Sequence, residues 1–177
     1  TVPYCGPKVK RLSPAQVADL FDVRIALEEL AVRLVAQSQA PDALQGMAEA
    51  LAAHERVCRE GDLEGTIEAD RAFHDALVQA SGNSVLIEML PTLSDRTRLL
   101  IELNAPRQQA MDPGAALRGL QGHQRILESL RDRNPEAAAL ALRRELTGGK
   151  EHLLKRMSDR QPGVDLAPSL EGEESIP

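Results

Sequence analysis

Apolar residues recur along the chain in alternating steps of three and four, the period of helices that bury one face. From Ser13 to about Gln39 they fall at Leu20, Val23, Leu27, Leu30 and Leu34, with Ser13 as N-cap and Pro14 as first helical residue. Pro41 and Asp42 restart a helix whose seam is Leu44, Met47, Leu51, His54 and Cys58, and Gly61 ends it. Asp62 caps a third helix running to about Ala80. The corner Ser81, Gly82 and Asn83 stops that helix, and Asn83 caps a fourth from Ser84 to about Leu103. Pro91 falls inside the fourth and predicts a kink. After a loop over 104–114, a fifth helix spans Ala115 to Arg131. Asn134, Pro135 and Glu136 then open a sixth, rich in Ala and Leu, which the Gly148–Gly149 pair is expected to loosen before Met157.

No strand-length alternation or hairpin signal competes with these segments, and short connections favour antiparallel neighbours. The predicted architecture is therefore an all-α, antiparallel bundle of about six to seven helices over residues 14–157. Residues 1–13 mix Pro, Gly and polar residues without a period and read as a linker, whereas 158–177 are acidic, rich in Pro and Gly, and read as a disordered tail.

Composition narrows the function. A chain of 177 residues with 42% hydrophobic content can bury one core. Its aromatic residues are Tyr4, Phe21 and Phe73, which excludes a stacking platform for bases. A net charge of -6 has the wrong sign for a chain that binds DNA by itself. Cys5 and Cys58 form no CxxC pair, and no apolar run approaches the length of a membrane span, so a cytoplasmic, soluble protein is expected. Thr1 stands where an intact chain would carry Met and no signal-peptide pattern follows, as expected for a cut made inside a longer protein.

Three of the predicted stripes are interrupted by groups that are costly to bury. On the third helix the stripe Leu63, Ile67, Asp70, His74, Leu77 places an acid and an imidazole four residues apart, able to converge on one point. On the fifth, His123 stands among Leu120, Leu127 and Leu130, and on the sixth Glu145 follows Ala138 and Leu142. Side chains from facing helices build metal sites in bundles. Asp70, His74, His123 and Glu145 would form a mixed N/O shell suited to zinc, nickel, manganese or iron. Two plainer roles are open: Asp70 with His74 as a buried ion pair, and Glu145 facing Arg143, Arg144 or solvent. His54 has no acidic partner on its own face and reads as a satisfied core histidine, while His152, two turns beyond Glu145, is a reserve ligand or a surface histidine.

The segments VRIALE from Val23, EADRAFHDALVQASGN at 68–83 and GHQRILESLRDRNPEAAALALRREL at 122–146 together resemble the effector-binding C-terminal domain of the FadR subfamily of GntR-type bacterial transcription regulators. The likeness covers about residues 14–157. It implies a helical bundle that binds a small organic-acid effector and dimerises, with an Asp and three His holding a divalent metal. By position these are Asp70, His74 and His123, with Glu145 where the family has its third His. Glutamate can still ligate zinc, but it lowers the formal charge of a divalent site from plus one to zero. The resemblance also implies effector-binding roles for Arg24 and Arg96, whose guanidinium forks suit a carboxylate. The alternative for both is an ion pair with Glu28, Asp95 or the acidic site, and Arg98, two residues from Arg96, is expected at the surface. The family's winged helix-turn-helix domain is not in this chain, so DNA would be contacted only through it. A helical carboxylate–histidine metalloenzyme is the rival from another class, but the paired Glu-x-x-His motifs it predicts do not occur. A metal-free dimerisation module is a third possibility and predicts an apolar core.

Overall fold

Short polar side chains fix where most of the helices begin. The computed structural model describes residues 12–38, 42–104 and 113–159. Helix α1 (Pro14–Gln37) opens with a capping box in which Ser13 Oγ accepts from Gln16 N while Gln16 Oε1 accepts from Ser13 N. Helix α2 (Gln45–Glu60) ends on Gly61, whose φ of 70° is left-handed. Asp62 caps α3 (Leu63–Ala80) through Gly65 N. Asn83 Oδ1 accepts from Val85 N and Leu86 N at the start of α4 (Ser84–Asn104), and Asn134 caps α6 (Pro135–Asp159) through Ala137 N. Helix α5 spans Pro113–Arg131.

Two boundaries differ from expectation. Helix α2 starts at Gln45 rather than near Pro41, because Asp42–Leu44 form a turn in which Asp42 O accepts from Gln45 N; Pro41 itself lies outside the described residues. Helix α5 begins two residues early, at Pro113, a favourable first helical position. Pro91 lies inside α4, as expected, and α6 runs unbroken through the Gly148–Gly149 pair to Asp159. Packing overrides local propensity there: Leu146 and Leu153, on either side of the glycines, are both buried. The expected linker and tail, apart from Leu12, Ser13, Ser158 and Asp159, lie outside the described residues, as does most of the loop over 104–114.

The larger core cluster joins Ile25, Val32 and Val35 of α1 to Met47, Phe73, Leu77, Leu90, Ile126, Leu127 and Leu142. A smaller one gathers Val17, Leu20, Phe21, Leu100 and Leu153. Helix α1 runs antiparallel to α6, marked by the surface pairs Asp22–Lys150, Glu29–Arg143 and Arg33–Glu136. Such exposed pairs add little stability and chiefly record the register. The predicted stripe of α1 is rotated. Val23 and Leu30 are 50% and 43% exposed, whereas Val17, Phe21, Arg24, Ile25, Glu28, Val32 and Val35 face inward with Leu20. This helix is apolar on two sides, and the side it buries carries an arginine and a glutamate. No helix among the described residues is long and apolar enough to cross a membrane.

Candidate metal centre and its cavity

Three helices bring the four predicted donors to one point. Asp70 and His74 come from α3, His123 from α5 and Glu145 from α6, and one ligand atom from each lies within 4.8 Å of all the others. His123 Nε2 stands 3.2 Å from His74 Nε2 and 3.5 Å from Asp70 Oδ1, and His74 Nε2 stands 3.4 Å from Glu145 Oε2. Donors about 2.1 Å from a shared tetrahedral ion are about 3.4 Å apart, so the three short spacings match a first-row divalent metal, while the group as a whole, bounded at 4.8 Å, would draw in around it. Two further observations favour an ion among them. Glu145 Oε2 is buried with no hydrogen-bond partner, its approach to His74 being an ion-pair contact without hydrogen-bond geometry. Gly122 also leaves room for Glu145: a Cβ there would meet Glu145 Cγ at 2.6 Å. Gly122→Ala should gain helix propensity of up to about 1 kcal/mol yet displace the carboxylate. Zinc affinity should fall by about tenfold in chelator competition while far-UV helicity is kept; unchanged affinity would remove Glu145 from the ligand set.

The cluster is supported from α1 by Glu28, which the sequence offers as an ion-pair partner for Arg24 but not as a contact of His74. Glu28, 1% exposed, accepts from Arg24 Nε at 2.5 Å and lies 2.6 Å from His74 Nδ1. Burial raises the pKa of Glu28, but Arg24 and His74 outweigh it and bring it down to about 2. For His74, burial and Arg24 disfavour the cation, yet Glu28 and Glu145 prevail and push its pKa up to about 10. His123 moves the other way: burial, reinforced by His74, holds it well below the usual imidazole value and therefore neutral, the form that binds metal. Phe73 stacks on His123 with ring centroids 4.1 Å apart and fixes its plane. His54 is buried, as expected, and its Nδ1 lies 3.1 Å from His123 Nδ1. The arrangement can therefore take a cation on two imidazoles and two carboxylates, with a carboxylate behind one of the imidazoles.

Above the cluster opens a cavity of about 860 Å³, whose wall includes Arg24, Arg71, Arg98, Arg118, Arg125, Arg144 and Arg156. The acids on that wall are Asp70, Glu128, Asp132 and Glu145, so arginines outnumber acids there, with Arg24, Arg71 and Arg98 also paired to carboxylates off the wall. Arg24 lines it with its guanidinium engaged by Glu28. Arg96 does not. It is exposed on the same outer stripe of α4 as Met89 and Leu99, and the helix turns Ser94, Thr97 and Arg98 to the cavity instead. Arg98, expected at the surface, has a side chain 42% exposed and also lines the cavity. His152 lines the cavity but lies outside the four-donor group.

The fold and this cluster define a class: a helical domain built around metal-competent donors at the floor of a cavity. The model of the FCD domain matches residues 19–148, and the chain belongs to that family. It is 28% identical over 150 residues to the uncharacterized HTH-type transcriptional regulator YdhC of Bacillus subtilis (strain 168), an alignment covering 84% of this chain and 64% of YdhC. In structure it is similar to Streptococcus agalactiae GntR, with a TM-score of 0.67 at 24% identity over 81% of this chain and 62% of that one. It is also similar to the Zn2+-bound FCD domain of TM0439, with a TM-score of 0.64 at 17% identity over 85% of this chain and all of that domain. The chain spans under two thirds of the length of YdhC and of that GntR.

Proposed function

We propose that this chain is the ligand-sensing half of a GntR-type transcription regulator, in which a divalent metal held by Asp70, His74, His123 and Glu145 receives a small organic-acid effector. The observation that carries this reading is the convergence of four donors beneath an arginine-lined wall. The metal, of which zinc best suits the donor set and nickel, manganese or iron are alternatives, would supply a Lewis-acid contact for an anionic oxygen. Its own charge is balanced by two carboxylates, so attraction for an anion would come mainly from the arginines. Effector binding would alter operator affinity through a winged helix-turn-helix domain elsewhere in the protein, by stabilising one of two arrangements of the helices. The relatives are transcription regulators, which favours a non-enzymatic role, in the cytoplasm where DNA is read. A metal-free dimerisation module with an apolar core is disfavoured by the buried Arg24, Glu28, His54, His74 and His123. The test is thermal unfolding in EDTA, Zn2+ and Ni2+, then with citrate, malate, lactate and sugar acids added. No midpoint shift with any metal would sink the proposal.

The intact regulator is read as a homodimer. Val23 and Leu30 on α1, with Val85, Met89 and Leu99 on the neighbouring α4, are exposed large apolar side chains on adjacent helices, a face suited to a second copy. Met89→Glu should convert the dimer to monomer in light scattering, since a charge at such a contact costs several kcal/mol. A dimer that persists would place the interface elsewhere.

A further inference from the structure

His54, the one histidine of α2, is absent from the four-donor group, yet it touches a member of it. Its Nδ1 lies 3.1 Å from Nδ1 of His123, and the residue is 1% exposed. We propose that His54 is a positioning residue for the metal ligand His123, accepting the Nδ1–H of that ring and so keeping its Nε2 lone pair directed at the cluster. The inference rests on the metal reading above and extends it to a residue on a different helix.

The argument is one of proton placement. A neutral imidazole carries one proton on one of its two nitrogens, and a nitrogen that ligates metal must be the bare one. His74 and His123 present Nε2 to each other at 3.2 Å and to the carboxylates of Glu145 and Asp70, so both must carry their remaining proton on Nδ1 when a metal is held. For His74 the acceptor is Glu28, 2.6 Å from its Nδ1. For His123 the group at that distance is His54 Nδ1. The reverse assignment, with His54 donating, would put the His123 proton on Nε2, against the ion and against His74. The proposed tautomer leaves the buried His54 Nε2–H without an acceptor among the described residues, a cost that the metal-bound state of His123 must outweigh. Phe73, stacked on His123 at an interplanar angle of 12°, prevents the ring from turning to find another acceptor. The two imidazole ligands are thus held alike from behind, one by a carboxylate from α1 and one by an imidazole from α2.

The test compares zinc affinity, by competition with a chromophoric chelator, in the wild-type chain, His54→Leu and His54→Asn. The leucine removes the acceptor, whereas the asparagine Oδ1 occupies nearly the position of the imidazole Nδ1. Affinity should fall by about 10- to 100-fold in His54→Leu and stay within a few-fold of wild type in His54→Asn. Unfolding midpoints in EDTA report packing separately. Wild-type affinity in His54→Leu, or equal losses in both variants, would overturn the inference while leaving the metal reading intact. Failure of the wild type to take up zinc would overturn both. Long-range nitrogen NMR of the zinc-loaded wild type needs no variant: it should show His54 protonated on Nε2 and His123 on Nδ1, and His54 protonated on Nδ1 would overturn the assignment.

Discussion

Glu28→Ala should lower the unfolding free energy by about 3–5 kcal/mol, because it leaves Arg24 and His74 buried without their shared counter-charge. Arg24 and Glu28 are 5% and 1% exposed and His74 is 1% exposed, so water reaching Arg24 from the cavity replaces the lost partner only in part. The pH dependence follows from the two shifted groups. Glu28 is depressed from 4.5 to about 2, so its contribution is present above pH 4.5 and is lost as pH falls through 2. His74 is raised from 6.5 to about 10, so its contribution is complete below pH 6.5 and is lost as pH rises through 10. In chelator, the wild type should therefore show a stability plateau between those limits, and Glu28→Ala should flatten the acid side. Urea titrations across pH check both statements; a loss under about 1 kcal/mol would mean that the charged pair is not stabilising in the way its burial implies.

His123→Ala should abolish metal-dependent stabilisation. Zinc at a hundred times its dissociation constant adds about 2.7 kcal/mol, a midpoint shift of about 5–10 °C for a chain of this size. His123 supplies the nitrogen nearest both His74 and Asp70, so its loss leaves a gap that the remaining three donors do not close. Far-UV helicity should be nearly unchanged, since Leu120, Ile126, Leu127 and Leu130 still bury α5. In the wild type the zinc shift should grow with pH through neutrality, because the ion displaces the proton that Glu28 and Glu145 hold on His74. A zinc shift that survives in His123→Ala, or that shrinks as pH rises, would count against the four-donor site.

The centre was more legible in the sequence than its surroundings. An Asp and a His four residues apart, and single polar residues within leucine stripes, announce themselves by helical period alone, and capping residues such as Ser13, Asp62, Asn83 and Asn134 do the same for helix ends. Four features escape a reading of the sequence. The Arg24–Glu28 pair is readable as an i, i+4 alternative, but the reach of Glu28 to His74 joins residues 46 apart and has no local signal. The face of α1 was misjudged because that helix is apolar on two sides, and only tertiary packing chooses between them. Arg96 and Arg98 are 200° apart on α4, and which one meets the cavity depends on how the whole helix is rotated against α1 and α3. The link between His54 and His123 joins residues 69 apart in sequence and has no local signature at all.

Helix α1 carries Glu28 and Arg24 on one side and Val23 and Leu30 on the other, within two turns of each other. A rod about 36 Å long cannot move one edge without the other. A change in how Glu28 holds His74 would therefore act on the same rigid element that presents Val23 and Leu30 at the outer surface.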